Sequence, residues 1–292
     1  VGSHARPEVG TDLDRALEVL HGGGLVALPT ETVYGLAADA SNEAAVRRIF
    51  AAKGRPADHP LIVHVDAASR LTHWASSIPT PAAVLADACW PGPLTLLVPR
   101  AAHVLDVVTG GRPTVGVRVP AHPMATALLE RFDGGLAAPS ANRFGKVSPT
   151  TAQHVVADLG DAVDYVLDGG PCPIGVESTI VDCTTTPPQI LRPGGIPSED
   201  VVALLSGAVG DAAGPSRASG MLASHYAPQA TVLLVDSRQQ ADELVASHPG
   251  SVLIDHGDDL VGHAQHLYAE LRQADLLGLS LIHISEPTRR RG

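Results

Sequence analysis

The feature that most constrains this chain is the alternation of short apolar runs with stretches of helical periodicity. Apolar runs lie at 25–30, 61–65, 94–99, 114–120, 135–140, 178–182 and 189–194, and helix-period stretches at 42–54, 149–160 and 198–207. Short apolar runs predict buried strands, and apolar residues recurring every three or four positions predict amphipathic helices. Scattered among them are 29 glycines and 24 prolines, which indicate many short elements joined by turns. The chain therefore predicts an α/β fold rather than a helical bundle.

A change in composition near residue 207 predicts a domain boundary. Residues 207–229 are rich in Gly, Ala, Ser and Pro, which is typical of a linker. Two apolar runs, 231–236 and 251–255, then alternate with helical stretches at 239–248 and 261–275. This β-α-β-α order predicts a small second α/β unit. We expect the residues after 275 to form one more strand and then end in a basic tail.

The net charge limits the partners that the chain can hold. Lys and Arg number 20 against 31 Asp and Glu, which gives a formal charge of −11 at pH 7. Proteins that bind nucleic acid mainly by neutralising phosphates usually carry the opposite balance. Only 3% of the residues are aromatic, so a base-stacking platform is disfavoured as well. We expect no strong direct binding to nucleic acid, although a local basic groove stays open.

The cysteines and the first residues of the chain indicate in which cellular compartment the protein resides. Cys89, Cys172 and Cys183 form no C-x-x-C motif and are odd in number, which favours free thiols in a reducing compartment. The first residues carry charge where a signal peptide would be apolar, and no apolar run approaches the roughly 20 residues of a membrane span. We expect a soluble protein of the cytoplasm that makes no membrane contact.

Several common catalytic signatures are absent from the sequence. No G-x-x-x-x-G-K-[ST] phosphate loop occurs, because the pair Gly145-Lys146 is followed by Val147, and no G-x-G-x-x-G opens a helix. His21 and three glycines resemble a lipase oxyanion loop, but no G-x-S-x-G nucleophile elbow accompanies them. We therefore interpret the glycines as a turn before a strand.

The 14 histidines raise the question of a metal site. His263 and His266 lie three positions apart on a predicted helix, but we assign no carboxylate or cysteine to them as a further metal ligand. Solvated surface histidines are the better interpretation. We predict no metal site built by the protein itself.

Polar residues are concentrated where predicted strands and helices end. The segment PTETVYG at 29–35 sets hydroxyls, including that of Thr32, and a carboxylate directly after a strand, and we expect Gly35 to turn the chain. The segment KGRP brings the cations of Lys53 and Arg55 to a point where a proline prevents helix continuation, which suits a polyphosphate or a carboxylate. An ordinary strand-to-loop turn and a solvated helix end stay open as alternatives.

Further along, a cation and several small donors repeat this pattern. Arg118 lies inside the apolar strand VRVP, where a charge needs a partner, either an anionic ligand or an internal Asp or Glu. The loop at 138–151 offers small donors that let a phosphate or ribose approach closely. These donors and the polar residues of the later segments GVESTIVD and LRPGG are Ser140, Asn142, Ser148, Ser178, Thr179 and Arg192.

Taken in order, these segments resemble the YrdC-like family of L-threonylcarbamoyladenylate synthases, in the longer form with a linker and a C-terminal domain. The match runs from about Gly22 to Gly195 through PTETVYG, KGRP, HPL, PSAN, ESTIVD and RPG, and continues into SHYAP at 224–228. The combination is highly specific. The resemblance implies a twisted mixed α/β sheet with a large concave cavity, plus a small Rossmann-like C-terminal α/β domain.

The resemblance also implies domain limits. They are 10–206 for the YrdC-like catalytic domain, 207–229 for a linker that acts as a lid, and 230–292 for the C-terminal domain. Related chains run on past residue 292, so we expect the C-terminal domain to be incomplete. The tail at 280–292 departs from the family pattern, and we leave it out of the functional interpretation.

The activity implied by the resemblance is nucleotidyl transfer. L-threonine, bicarbonate and ATP would give threonylcarbamoyl-AMP and pyrophosphate, and the product would serve the machinery that threonylcarbamoylates tRNA at the adenosine next to the anticodon. Mg²⁺ would arrive on the phosphates of ATP rather than in a protein cage. Such a transfer needs cations clamped on the phosphates more than a nucleophilic side chain.

The resemblance assigns roles to individual positions. It implies contacts to L-threonine at Thr32, His64, Arg118, Ala138 and Ser178. It implies contacts to ATP at Arg55, His59, Thr114, Ser140, Asn142, Ser148, Arg192 and Tyr226. Lys53 and Arg55 are the implied catalytic residues, and Tyr226 in SHYAP would fold back over the nucleotide. A closing linker would shield the labile carbamate and mixed anhydride from water.

Two other functions stay open on the sequence alone. One is a non-catalytic module of the same fold that binds double-stranded RNA or tRNA, with Lys53, Arg55 and Arg118 as a basic groove. The acidic balance counts against it. The other is a maturation domain of the same superfamily that uses carbamoyl phosphate, which normally belongs to a longer chain with acylphosphatase-like and zinc-finger segments.

Overall fold

The first ten strands form one mixed sheet. The structure, a computed structural model, describes residues 7–210, 212, 228–235, 237–279 and 281–285. The strands are β1 (Glu8–Gly10), β2 (Val26–Leu28), β3 (Gly35–Asp39), β4 (Ile62–His64), β5 (Leu94–Pro99), β6 (Thr114–Arg118), β7 (Leu136–Ala137), β8 (Tyr165–Leu167), β9 (Thr179–Asp182) and β10 (Gln189–Arg192). They lie in the order β1-β8-β2-β3-β7-β4-β6-β5-β9-β10. The predicted α/β class with a mixed sheet is confirmed.

Helices connect these strands. They are α1 (Leu13–His21), α2 (Glu43–Lys53), α3 (Leu71–Trp74), α4 (Thr80–Cys89), α5 (Asp106–Thr109), α6 (Pro123–Phe132), α7 (Ala152–Leu159) and α8 (Ser198–Leu204). Helix α2 shows how local sequence sets the ends. The side chain of Asn42 accepts the N–H of Ala45 at its start, and Gly54 adopts φ 62° just past its end.

The sheet carries an apolar cluster on each face. Successive residues of a strand point to opposite faces, and Ala27 of β2 belongs to one cluster while Val26 and Leu28 belong to the other. Helices α1 and α6 supply the smaller cluster, and α2, α4 and α7 contribute to the larger one. Two covered faces explain why the predicted strands read as continuous apolar runs rather than alternating ones.

The segment PTETVYG forms the connection between β2 and β3. The two strands are antiparallel, with Leu28 opposite Gly35. Gly35 was expected to turn the chain, but it is the first residue of β3. A side chain at this position would press on the Cβ of Ala138, 3.2 Å away, so the glycine serves close approach of backbones rather than a turn.

The C-terminal part is a three-stranded parallel sheet with two helices. Its elements are β11 (Thr231–Val235), α9 (Arg238–Ser247), β12 (Ser251–Ile254), α10 (Leu260–Leu276) and β13 (Leu281–Ser285). The order is β11-β13-β12, so the third strand lies between the first two. Consecutive strands are neighbours in a Rossmann half, and this sheet differs from it in that respect. The described part of the tail at 280–292 is thus the central strand.

The C-terminal part packs onto the large domain through an apolar cluster. Val147 of the large domain lies in one cluster with Ile254, Leu271, Ala274 and Ile282. Residues 213–227, which hold Tyr226 and most of the predicted lid, lie outside the described residues. Among the helices that the structure describes, none combines the length and apolarity needed to cross a bilayer.

Candidate active site

Residues from the segments PTETVYG, KGRP, VRVP, PSAN, ESTIVD and RPG meet at one cavity in the large domain, or border it directly. Thr30, Glu177 and several predicted site residues line it. The predicted residues brought together there are Arg55, His64, Arg118, Ala138, Ser140, Ser178 and Arg192. The sheet order explains this, because β4, β6 and β7 are neighbours although long stretches of chain separate them. His64 and Arg118, the last residues of β4 and β6, are register partners in a parallel pair.

Arg118 forms a buried ion pair with Glu31 of PTETVYG. Nη2 of Arg118 lies 2.7 Å from Oε1 of Glu31, and only 4% and 6% of the two side chains are exposed. Nε of Arg118 also donates to the carbonyl oxygen of Gly92 at 3.3 Å. An internal carboxylate, one of the two partners considered for this cation, is therefore present. Arg118 also lines the cavity, so it remains placed to meet an anionic ligand.

His64 presents a neutral imidazole to the cavity. Burial, and next the charge of Arg118, lower the pKa of His64 to about 3, although the carbonyl groups of Ile62 and Leu136 act in the opposite direction. A neutral imidazole keeps one ring nitrogen as an acceptor. It can therefore accept a hydrogen bond from a ligand without adding charge beside Arg118.

Arg192 and Ser178 form the centre of a second polar group. Nε and Nη2 of Arg192 donate to the carbonyl oxygen of Ser178 at 3.0 and 2.8 Å, and Nη2 reaches its Oγ at 2.9 Å. The hydroxyl of Thr95 is 2.8 Å from the same Oγ. These contacts fix the Ser178 hydroxyl and the guanidinium in one geometry at the cavity wall.

Glu177 joins this group to Ser148. Oγ of Ser148 donates to Oε1 of Glu177 at 2.6 Å, and Nη1 of Arg192 lies 3.5 Å from Oε2. Ser148 itself is fully buried, behind the carboxylate that lines the cavity. A charge-assisted hydrogen bond of this length holds the loop of Ser148 against the segment of Glu177.

Lys53 stands behind the cavity wall. It is the last residue of α2, it is buried, and its ammonium donates to the carbonyl oxygens of Ser140 and Asn142, the latter at 2.5 Å. Burial, followed by the charge of Arg55, lowers the pKa of Lys53 to about 7. The Asn142 amide donates in turn to Arg143 and Lys146 carbonyls at 2.8 and 2.7 Å. In this structure both side chains shape the loop that presents Ser140.

The remaining predicted residues are distributed around these groups. Arg55 donates to the carbonyl oxygen of Pro60 at 2.9 Å and lies 5.8 Å from the centre of the Phe144 ring, which His59 meets edge-on. The Thr32 hydroxyl is buried 2.9 Å from that of Thr30. Thr114 is at the opposite end of β6 from Arg118, about 13 Å along an extended strand. The assigned roles of these residues stay predictions.

Four participating residues received no role from the sequence. Glu31 and Glu177 stand inside the motifs PTETVYG and ESTIVD, Thr30 is beside Thr32, and Thr95 lies in an apolar run. A carboxylate within a motif that also supplies cationic and hydroxyl ligands is the signal that could have singled out the two glutamates. Thr95 gave no signal, since its role depends on the pairing of β5 with β9.

A metal site built by the protein would need several His, Cys, Asp or Glu side chains close together. Within the described residues, no three such side chains come together in a group that could hold a metal ion. The carboxylate of Glu177 is the described acidic side chain that lines the cavity. The donor set at the cavity is dominated by arginines and hydroxyls, which suits anionic ligands better than a bare cation.

Comparison with protein families divides the chain into two matched parts. Residues 18–194 match the Sua5/YciO/YrdC family, whose description is telomere recombination. Residues 196–292 match the family described as the C-terminal domain of threonylcarbamoyl-AMP synthase. Together the two matches cover nearly the whole chain.

Curated relatives carry a consistent name. A threonylcarbamoyl-AMP synthase of Pyrococcus abyssi is 42% identical over 286 residues, which are 89% of this chain and 84% of the relative. One of Bacillus subtilis is 43% identical over 228 residues, which are 76% of this chain and 66% of the relative.

A solved structure is similar over nearly the full length. The crystal structure of Pyrococcus abyssi Sua5 complexed with L-threonine superposes with a TM-score of 0.89 at 39% identity, covering 97% of this chain and 92% of that one. The similarity extends across both domains, so the large sheet and the C-terminal sheet are shared.

Proposed function

Because the chain belongs to the Sua5/YciO/YrdC family, we propose that it is a threonylcarbamoyl-AMP synthase. The substrates would be L-threonine, bicarbonate and ATP, and the products threonylcarbamoyl-AMP and pyrophosphate. The observation that carries this proposal is the convergence of three buried arginines, Arg55, Arg118 and Arg192, on one cavity of a chain with net charge −11. Glu31 and Glu177 lie beside two of these cations, so three arginines face two carboxylates and the excess suits anionic ligands. Each of the three substrates is an anion or carries a carboxylate.

The half of the cavity around Arg118 suits the amino acid. Arg118 offers a cation for the carboxylate, and neutral His64 and the Ser178 hydroxyl offer partners for the ammonium and the hydroxyl of threonine. Ala138 adds an apolar surface for the methyl group. The L-threonine bound to the Pyrococcus abyssi protein supports this assignment.

The half around Arg55 and Arg192 suits the nucleotide. Two guanidinium groups and the small side chain of Ser140 line this part, so phosphate oxygens can approach several donors at once. The Glu177 carboxylate at the cavity wall would meet a hydrated Mg²⁺ that arrived with ATP, and the ion would supply neutralisation of phosphate charge. The roles of His59, Thr114, Asn142 and Ser148 at the nucleotide remain part of the proposal.

The chemistry that follows needs no nucleophilic side chain. The threonine amine, after losing a proton, adds to bicarbonate and water leaves, which gives a carbamate. A carbamate oxygen then attacks the α-phosphorus of ATP, and the bond to the bridging oxygen breaks as pyrophosphate departs. The arginines stabilise charge that shifts onto the leaving group, the amine proton passes to water, and neutral His64 is placed to accept a hydrogen bond from the amine.

The proposal also covers the role of the linker, the fate of the product and the compartment. The linker that holds Tyr226 would close over the bound nucleotide and keep water from the carbamate and the anhydride. The product would pass to the machinery that threonylcarbamoylates tRNA. The three free cysteines support a reducing compartment, and we infer the cytoplasm.

Omission of substrates tests the function. Pyrophosphate release from ATP is followed with L-threonine and bicarbonate, with either one left out, and with L-serine in place of threonine. We expect release to require both bicarbonate and threonine and to be weaker with serine. Release that needs no amino acid contradicts the proposal. Salt-sensitive binding of duplex RNA without threonine-dependent release would instead favour the RNA-binding module, which the names of the curated relatives do not favour.

A further inference from the structure

The C-terminal helix α10 contacts the rear of the candidate site through an ion pair. Nη1 and Nη2 of Arg272 lie 3.0 and 2.5 Å from the two carboxylate oxygens of Asp158 on α7. Only 12% of the Arg272 side chain and 16% of Asp158 are exposed. A two-point pair that is largely removed from water fixes the orientation of both partners. Helix α10 is therefore fixed against α7 at this point.

The same guanidinium contacts the loop that carries Ser148. Nε of Arg272 donates to the carbonyl oxygen of Ser148 at 3.4 Å. The hydroxyl of Ser148 donates to Glu177, and Glu177 lies beside Arg192 at the cavity wall. A continuous series of polar contacts thus connects the C-terminal domain to two side chains that line the cavity.

Apolar packing holds the same loop at the neighbouring residue. Val147 is buried in one cluster with Leu271 and Ala274 of α10. Leu271 and Arg272 are consecutive, as are Val147 and Ser148. The helix therefore holds two successive residues of the loop, one by apolar contact and one by a hydrogen bond.

A second loop of the site meets α10 two turns earlier. Gly175, at φ +77°, lies so close to the helix backbone that a Cβ there would be 2.7 Å from Cα of Gln265. Gln265 and Arg272 are separated by about two helical turns, which sets them on one face of α10 about 10 Å apart. The segment of Gly175 leads directly to Glu177 and Ser178, so one helix face touches both loops that converge on Glu177.

The charge of Arg272 also supports the start of α7. Burial, and next the charge of Arg272, lower the pKa of His154 to about 4, so this imidazole is neutral. Its Nδ1 accepts the backbone N–H of Thr150 at 3.2 Å. Thr150 follows Ser148 by two residues, and the loop is therefore held on both sides of Ser148.

We propose that Arg272 is a positioning residue for the nucleotide half of the site. By holding Ser148, it keeps Glu177 and Arg192 in the arrangement that ATP requires, and the C-terminal domain becomes a structural part of the active site. This inference rests on the proposed function for its kinetic consequences, but not for its structural ones.

Kinetic comparison of four variants tests the proposal. They are Arg272→Met, Asp158→Asn, the double variant, and as a control Arg238→Met, which removes the ion pairs of Arg238 with Asp242 on α9 and with Asp255 after β12. We expect Arg272→Met to raise the KM for ATP about tenfold, while the KM for threonine changes less than about twofold. Arg238→Met should leave both unchanged.

The double variant separates positioning from simple stabilisation. Arg272→Met alone leaves the Asp158 charge without its partner, and Asp158→Asn in the same chain removes that charge, so we expect the thermal midpoint to recover. Methionine cannot donate to the Ser148 carbonyl, and the KM for ATP should stay raised. Recovery of the KM together with the midpoint would overturn the proposal.

Hydrogen exchange supplies a readout that does not depend on the reaction. We expect the amides of Val147, Ser148 and Thr150 and those of residues 175–178 to exchange faster in full-length Arg272→Met than in Arg238→Met. Equal rates in the two variants would refute the positioning role, whatever the kinetics. If the unmodified protein released no pyrophosphate, the proposed function would fail, and faster exchange of these amides would still support a positioning role for Arg272.

Discussion

Arg118 and Glu31 form an ion pair of 2.7 Å at the wall of the cavity, where almost nothing of either side chain reaches solvent. This contact joins PTETVYG to VRVP, which lies far from it in the sequence. A buried pair loses much of its Coulomb energy to desolvation, so its presence is weak evidence of a stabilising role. Its position suggests a role in binding, because Glu31 orients the Arg118 guanidinium that lines the cavity and would bind the carboxylate of threonine.

The first prediction separates these two roles of Arg118. Arg118→Met leaves Glu31 buried without a partner and should lower the free energy of unfolding by about 3–5 kcal/mol. Glu31→Gln in the same chain removes the stranded charge and should restore most of that loss. Threonine-dependent pyrophosphate release should remain low in both variants, because the cavity has lost a cation. Urea unfolding and the release assay measure the two effects, and a double variant no more stable than the single one would contradict the explanation.

The second prediction concerns the pH dependence of stability at Lys53. Its pKa is about 7 in the folded protein against an ordinary 10.5, so between these values the unfolded chain binds a proton that the native state does not. Stability should therefore rise with pH in this range, by up to about 1.4 kcal/mol per pH unit from this group, and the cost is fully present below pH 7. Urea unfolding at pH 7, 8 and 9 should show a smaller rise for Lys53→Met than for the unmodified protein.

The other lysine of the chain provides the control for that experiment. Lys146 is exposed, and Lys146→Met should keep the pH profile of the unmodified protein. Parallel profiles for Lys53→Met and Lys146→Met would show that burial does not hold the Lys53 amine near neutrality.

The third prediction is that His64 stays neutral in mildly acid solution. With a pKa near 3 against an ordinary 6.5, the imidazole should remain unprotonated at pH 5. Nitrogen chemical shifts of the ring, assigned by comparison with His64→Gln, measure this directly. A protonation midpoint above pH 5 would remove the basis for assigning His64 as an acceptor. The free energy of unfolding should also fall as the pH drops from 6.5 toward 3, because in this range the unfolded chain takes up a proton at His64 and the folded chain does not.

Strands that lie within longer apolar runs were predicted from the sequence, including the largely exposed β11, whereas β1, β3 and the short buried β8 were not. The run at 94–99 became β5 because every residue but the last is buried. Strand β1 has two exposed residues and offers no apolar run. Strand β3 reads GLAAD, and glycine and alanine have little preference for strands. It is a strand because β2 and β7 pair with it on either side, which only the tertiary structure determines.

The cavity-lining arginines could be predicted from their motifs, whereas their partners could not. Arg118 required a partner on physical grounds, but Glu31 could be chosen only once β6 and the PTETVYG connection were seen side by side. Lys53 stood in a motif with Arg55 and was predicted to act with it. Beyond the end of α2, however, the two side chains point to different neighbours, Lys53 to the carbonyl oxygen of Asn142 and Arg55 to that of Pro60. A motif fixes which residues are close in sequence, and the direction of each side chain depends on the backbone around it.

The last prediction tests how closely the segment after β10 must approach Glu177. A Cβ at Gly194 would overlap the carbonyl oxygen of Glu177 and lie 2.6 Å from the carbonyl carbon of Ser178. Both neighbours are backbone atoms, so Gly194→Ala should push this segment away from β9 and displace Arg192 from Ser178. Gly116→Ala is the matched control, because its Cβ would meet side chains at an ordinary 3.5 Å or more. We expect Gly194→Ala to lower kcat/KM for ATP at least about tenfold while Gly116→Ala stays within about threefold of the unmodified protein. Equal losses in the two variants would mean that the close backbone contact does not position Arg192.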